Sequence, residues 1–492
     1  MLLQNADYVV ILIYTILVSA IGYYAKSKVK NMEDYFAGGR SVPWWMAAIS
    51  HHMSGYSAFA FVGHATVAYM SGFSIWTFFA VPIFIAMIIG AYTWAPKWVR
   101  LNVITPVEYL EERFDLKTRK LFAWSGIGIK FIDEGVKLYS LSIIVHVVSG
   151  FPLEFTIIAC GLVTMIYIMF GGLWATMLTD FMQFVVQFGT SFVLVYLVLT
   201  AVGGWSNMWD NLPAGHSSLF SNAISPGFML VYLFVIILSY NGGTWGLAQR
   251  FYSIGKPSDA KKAAILSAML YLIYPLAIYI PIWSARLVIG EIENPEQAYV
   301  LVAQKFFSQL TPGMIGLFVS SIFAATMSMI SADLNSLSAV FTKDIYQRSF
   351  SANASENKLV KIGMISTIVF GLLTIVSALI TIHLEGAFNT MVEWYAAILG
   401  PISIPLLFGM IFRKPTWRGA IYSWAAGFAT FVIVKYGVPW MTGIPTAFEY
   451  YTGAELLVSF SVFYFEGLIN KQTDEEVEKV DKLFKRIKNQ KG

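Results

Sequence analysis

The chain predicts an all-α polytopic membrane protein with about 13 transmembrane helices, built as a 5+5 inverted-repeat core with two broken helices. Three observations predict it. The chain is 57% hydrophobic over 492 residues, with a mean hydropathy of +0.64, which no soluble domain of this length shows. Its basic residues fall in alternate loops between apolar runs. Two apolar runs, in matching positions of the two halves, are interrupted by glycines and small polar residues.

The spans fall at about 7–25, 44–70, 73–96, 121–149, 152–172, 176–203, 226–248, 260–287, 312–342, 358–383, 390–412, 417–437 and 453–469. The first run lacks a basic leader and a small-residue cleavage site, so it reads as a span and not as a signal peptide. Lys26, Lys28, Lys30 and Arg40 follow span 1, and Lys97, Arg100, Arg113, Lys117 and Arg119 follow span 3. Arg250, Lys256, Lys261 and Lys262 follow span 7, Lys343, Arg348 and Lys358 follow span 9, and Arg413, Lys414 and Arg418 follow span 11. The intervening loop 204–225 has no lysine or arginine, and 288–311 has only Lys305. Positive charge stays on the cytoplasmic side, so the N-terminus is expected outside and the C-terminus inside, in a multi-pass plasma-membrane protein.

Span 2 is interrupted at Ser54-Gly-Tyr-Ser57 and span 7 at Tyr240-Asn-Gly-Gly243. Unwound backbone is costly in lipid unless it lines a cavity or binds something, and a matched pair of interrupted spans is the mark of a secondary transporter's site. The breaks lie five spans apart. Five is odd, so the second repeat is inverted relative to the first. The expected divisions are 1–43 (first span and loop), 44–203 (repeat 1), 204–413 (repeat 2), 414–470 (peripheral spans 12 and 13) and 471–492 (charged tail). The tail reads as an amphipathic helix lying solvated near the lipid surface.

Ionisable groups at membrane depth usually mark a site or a pathway. Span 4 carries Lys130, Asp133, Glu134 and Lys137, with Asp133 about 20 Å from Lys120 along the helix. The other reading is internal pairing, Lys130 with Glu134 and Asp133 with Lys137, both at i,i+4 spacing. His51 and His52 precede the first break and divide between a structural role and a role in the site or in proton coupling. Asp180 stands about one turn into span 6, where a carboxylate suits a hard cation or a basic neighbour. Ser328 and Ser331 share a face of span 9, one turn after Ala325; serines there also serve as helix–helix contacts. Asp333 and Glu393 are two further acids at depth. The single cysteine, Cys160, reads as a small buried apolar residue.

No Walker motif, zinc-protease motif, nucleophile elbow or dinucleotide fingerprint is present in the sequence. An enzyme is not expected, and the net charge of +4 gives no reason to expect nucleic-acid binding. The expected partners are a small solute and the lipid bilayer. Nothing in the sequence bears on oligomeric state.

Five segments carry a family resemblance: Asp34-Tyr-Phe-Ala-Gly-Gly-Arg-Ser-Val-Pro-Trp-Trp45, Thr105-Pro-Val-Glu-Tyr-Leu-Glu-Glu-Arg-Phe114, Phe170 through Gln183, Trp245-Gly-Leu-Ala-Gln-Arg250 and Asn335 through Tyr346. Through them the chain resembles the sodium/solute symporters of sugars, proline and sialic acid, from Asp34 to the end of span 11. The resemblance implies the leucine-transporter fold and a sodium-coupled symporter of a small polar solute, best a monosaccharide or other polyhydroxylated compound. A proton-coupled, amino-acid or sialic-acid symporter of the same fold is the alternative, and a solute sensor or a channel is the alternative outside that class. The resemblance places the main sodium site on the carbonyls of Met53, Tyr56 and Ala325 and the hydroxyl of Ser328. Met329 stands where a second hydroxyl is usual, and a thioether is a poor ligand for a hard cation. A second sodium site resembles Asp180 with Ser328 and Ser331. Solute contacts are expected from Ser57, His52, Asp133, Glu134, Lys137, Tyr240, Asn241 and Glu393, with Tyr240 matching an aromatic inner gate. Sodium is the expected coupling ion, with a proton in its place as the alternative.

Overall fold

The computed structural model describes residues 3–221, 225–383 and 387–488; the side chains of residues 59, 129, 132, 166, 167, 169–171, 387–396 and 398 fall outside that description. The main helices are α1 (Asn5–Ala25), α2 (Trp44–Met53), α3 (Ala58–Ser71), α4 (Ser74–Thr93), α5 (Leu116–Ser149), α6 (Leu153–Ala201), α7 (Pro226–Leu238) and α8 (Trp245–Tyr252). They continue as α9 (Pro257–Val288), α10 (Ala298–Phe307), α11 (Met314–Val340), α12 (Glu356–Thr381), α13 (Ala387–Phe408), α14 (Trp417–Val432), α15 (Phe448–Ile469) and α16 (Asp474–Lys488). Among the described residues, nine helices are long and apolar enough to cross a membrane, or ten if α5 and the start of α6 count as one bent span. Helix occupies each of the thirteen expected segments, with α2 and α3 sharing the second and α7 and α8 the seventh.

Local chemistry sets the boundaries. Asp115 caps α5 by accepting the Thr118 amide at 2.7 Å, and Ser225 caps α7 ahead of Pro226. The 49 residues of α6 would span about 74 Å if straight, far more than a bilayer. Gly172 divides them with φ 52° and ψ −138°, where any Cβ would overlap the Tyr35 carbonyl. Expected spans 5 and 6 are therefore the two limbs of one kinked run.

The loops gather at two ends. At the basic end, Arg40 donates to the Val103 carbonyl at 3.0 Å, Arg113 to the Gly409 and Phe412 carbonyls, and the Met32 amide to Glu356. Arg119 and Arg348 share Glu111. Burial alone would push the Glu111 carboxyl up, but the two guanidiniums hold it below its ordinary value. At the other end, Asp7 accepts the Gly316 amide, and His216 and Tyr69 tie the loops after α3, α6 and α9 together.

The tail corrects its expectation. Helix α16 is docked on the basic end by one face, with Val480, Leu483, Phe484 and Ile487 buried, while its charged face stays solvated. Arg486 pairs with Glu112 at 2.6 Å, Arg413 with Asp481 at 3.2 Å, and Arg100 donates to the Ile487 carbonyl.

Candidate functional site

The two breaks lie against each other. Helix α2 ends at Met53 and α3 begins at Ala58, with Ser54–Ser57 unwound between them. Gly55 is required there because a Cβ would overlap the Tyr271 hydroxyl from α9. Helix α7 passes into a widened turn over Ser239–Gly243, in which Gly242 has φ 136°, and α8 restarts at Trp245. Two contacts join the breaks. The His51 Nε2 lies 3.2 Å from the Tyr240 carbonyl, and the Tyr240 hydroxyl donates to the Gly55 carbonyl at 3.3 Å. Tyr271 completes the junction by donating to the His51 carbonyl at 2.6 Å. Tyr271 is a residue that reading the sequence missed, since one tyrosine in a long apolar helix carries no signal of its own.

The residues expected around a cation are all buried: Met53, Tyr56, Asp180, Ala325, Ser328 and Ser331. Thr326 accepts the Ala58 amide at 2.8 Å, tying the start of α3 to the helix that carries Ala325 and Ser328. Ser331 bonds back to the Ser328 carbonyl at 2.8 Å. Asp180 has a partner that the sequence placed in a basic loop. Arg250 is fully buried on α8 and pairs with Asp180 Oδ2 at 3.4 Å, while its Nε donates to Ser50 Oγ at 3.0 Å. Ser50 in turn donates to Asp180 Oδ2. The Asp180 carboxylate also lies beside the Ser328 hydroxyl. Oxygens of this kind suit a hard monovalent cation.

Lys130, Asp133, Glu134 and Lys137 form a paired cluster with Asp333 of α11. Lys137 Nζ reaches Asp133 at 2.8 Å, Glu134 at 2.6 Å and Asp333 at 3.0 Å, and Lys130 reaches Asp333 at 3.0 Å and Asp133 at 3.3 Å. The internal-pairing reading holds in part: Asp133–Lys137 forms, but Lys130 turns to Asp333 and Asp133 instead of Glu134. The three carboxylates lie within 4.8 Å of one another, against two ammonium groups. Asp333 approaches Gly246, just past the second break. Glu134 and Lys137 are wholly buried in this cluster, so their first partners are each other and not an open cavity.

The other five expected solute contacts turn out as follows. Asn241 points away from the first break, donating to the Ala86 carbonyl of α4 at 3.0 Å and to Ile237 at 2.8 Å. His52 sits in a cage of aromatic rings from Tyr56, Phe184, Phe188, Tyr271 and Tyr274, on the side of α2 that faces α6 and α9. Ser57 and Tyr240 are buried at the breaks themselves. The Glu393 side chain lies outside the described residues.

Residues 35–427 match the model of the sodium:solute symporter family. The chain is 27% identical over 471 residues to the sodium/glucose cotransporter of Vibrio parahaemolyticus, covering 88% of this chain and 86% of that one. It is 26% identical over 456 residues to the sodium/sialic acid symporter NanT of Aliivibrio fischeri, with 87% of each covered. Among solved structures, a Na+-coupled sialic acid symporter in a substrate-bound outward-open state aligns with a TM-score of 0.82 at 21% identity, over 95% of this chain and 98% of that one. A nucleobase-cation-symport-1 family transporter aligns at 0.57 and 15% identity, over 91% and 98%. These two likenesses are likenesses of fold.

Proposed function

This chain belongs to the sodium:solute symporter family, and we propose that its interlocked breaks enclose the site of a small polyhydroxylated solute, best a monosaccharide, carried by alternating access. The family is one of transporters and not of enzymes, and sodium is the coupling ion. The observation that carries the proposal is the reciprocal contact between breaks, His51 to the Tyr240 carbonyl and Tyr240 to the Gly55 carbonyl. It brings two half-helix ends face to face, and backbone polar groups freed by such breaks are where solute hydroxyls and cations find partners.

In this reading Met53, Tyr56 and Ala325 offer carbonyls to sodium and Ser328 a hydroxyl, with Asp180 and Ser331 at a second position. Ser57 and Tyr240 face the solute, and Asp133 is the cluster member best able to turn an oxygen to it, since it is the least buried of the three carboxylates, 8% exposed against 0% for Glu134 and 1% for Asp333. Thirteen crossings, two inverted five-helix repeats, an N-terminus outside and a cytoplasmic basic end complete the proposal. The named sugar and sialic-acid relatives support a hydroxyl-rich solute.

Uptake into proteoliposomes tests it. An inward sodium gradient should drive accumulation of a labelled monosaccharide, and unlabelled sugar should elicit counterflow. Uptake of a sugar acid that fails in Lys130→Met, with no monosaccharide uptake, would move the solute to the anionic class. Uptake that ignores sodium and follows a proton gradient would replace the coupling ion.

A further inference from the structure

Away from the breaks, the peripheral helix α15 buries a carboxyl group. Glu455 is wholly buried, and neither of its oxygens has a hydrogen-bond partner among the described residues. Thr452, three residues earlier, is equally buried, and its hydroxyl is likewise without a partner there. Glu449, three residues earlier again, is half-buried at the end opposite the basic one, where the Ser225 hydroxyl donates to it at 3.3 Å. The three positions lead about 9 Å along the helix from that end to Glu455. The carboxyl rests against α13. A Cβ on Gly400 would come within 2.7 Å of Glu455 Oε1 and 2.9 Å of the Leu456 side chain, so the gap there is smaller than a methyl group. One turn along α13, Ser403 meets the second break, where a Cβ on Gly243 would overlap its hydroxyl.

Among the described residues no basic group answers this carboxyl, and no charged neighbour acts on it. The helices packed on α15 are α14, α13 and α7. The cations of α14 stand at its two ends, Arg418 over the Trp417 ring and, just past the helix, Lys435 over the Tyr451 ring. Tyr422 of α14 is exposed, Tyr232 of α7 packs on Phe78, and Glu466 of α15 is held by Thr416. The Glu393 and Tyr395 side chains of α13 lie outside the described residues. An ionised carboxylate buried without a counter-charge is strongly disfavoured, and such a group takes up a cation or a proton. The close fit at Gly400 leaves no room for a metal ion, whereas a proton needs none.

We propose that Glu455 is a proton-binding site, loaded from the end opposite the basic one through Glu449 and Thr452, and that its proton keeps α15 packed on α13. Loss of the proton sets an uncompensated charge against Gly400 and loosens that contact. The Thr452 hydroxyl can both accept and donate, which a relay between two carboxyl groups requires. The site is separate from the sodium and solute positions and holds whatever the solute is.

Infrared difference spectra of the purified protein provide the test. At pH 7, where an ordinary glutamate with a pKa of about 4.3 is ionised, native protein should show a protonated-carboxyl band that Glu455→Gln lacks. Glu455→Met, neutral and of similar length, takes its place if the glutamine variant does not fold. The folded chain then holds a proton that the unfolded chain gives up. The stabilisation is therefore full below about pH 4.3 and is lost as the pH rises to the point where the band disappears. Over that interval the native melting temperature should fall relative to that of Glu455→Gln. Thr452→Val, which keeps the shape of the side chain, should slow deuterium exchange of the band about tenfold, the effect of one lost hydrogen bond. Identical native and Glu455→Gln spectra at pH 7 would overturn the site. A gap in melting temperature that does not change with pH would overturn its role in packing, and unchanged exchange in Thr452→Val would overturn the route.

Discussion

The two broken helices solve the same problem in different ways. The second break is locked by a left-handed glycine of its own together with one tryptophan from outside it. Gly242 takes φ 136°, a region closed to L side chains, and a Cβ there would approach the Trp98 ring to 2.7 Å. Trp98 donates to the Asn241 carbonyl at 2.8 Å, and the Asn241 side chain donates into α4. The first break needs no left-handed residue. Its backbone is held from outside, by Tyr271 of α9 at the His51 carbonyl and by Thr326 of α11 at the Ala58 amide. The lesson is one of coupling: the second break is a fixed corner, whereas the shape of the first depends on α11, the helix expected to bind sodium.

Gly242→Ala gives the largest effect expected of this contrast. Forcing a side chain into that backbone region costs about 1–3 kcal/mol, and overpacking against Trp98 adds about 1–3 kcal/mol. Trimming Trp98 to alanine cannot relieve the backbone part, so the double variant should stay well below native in thermal stability. Gly55→Ala should cost only the overpacking, about 1–3 kcal/mol. Its obstacle is one side chain, so the losses of Gly55→Ala and Tyr271→Ala should combine to less than their sum in the double variant. An equal shortfall at the second break would erase the distinction.

Thr326→Val comes next. It keeps the shape of the side chain but leaves the buried Ala58 amide without its acceptor, costing about 1–3 kcal/mol. If the first break answers to α11, the sodium half-saturation of uptake should rise along with the loss of melting temperature. Trp98→Phe, which removes the matching donor at the second break, should lower the melting temperature by a similar amount but leave sodium half-saturation unchanged. The same shift in both variants would show that the breaks are coupled to sodium alike.

These contrasts also mark where the sequence could be read. Both breaks were legible because glycine and small polar residues inside long apolar runs have few other uses. The partners of the polar residues were not. Asp333 meets Lys137 across 196 residues of chain, and Asp180 meets Arg250 across 70, separations over which no local spacing rule operates. Arg250 looked like a loop residue because it closes an apolar run, yet the run continues as α8 and carries it inside. Asn241 reads as a solute contact for being polar at a break; its amide nitrogen donates to backbone carbonyls of the distorted turn and of α4, partners that no local spacing could show. In the tail, Val480, Leu483, Phe484 and Ile487 have helical spacing, but the surface they cover is assembled from loops far apart in sequence.

Tyr240→Phe carries the smallest expected effect and bears most directly on how the two breaks act together. The ring stays, along with its edge-on contact with Tyr271 at 5.2 Å, and only the hydroxyl that donates to the Gly55 carbonyl is removed. A hydrogen bond of this kind contributes about 0.5–1.5 kcal/mol, so the melting temperature should fall slightly. The reverse contact, His51 to the Tyr240 carbonyl, uses backbone and survives the substitution. If the junction only fixes the fold, the variant should match native protein in uptake at every sodium concentration once the amount of folded protein is equal. If the junction is the closed gate between solute and the basic end, it should open more readily. Solute would then leave faster, its half-saturation would rise, and counterflow would speed up relative to net uptake. A variant with unchanged counterflow would reduce Tyr240 to a packing residue and leave His51 as the functional link between the two breaks.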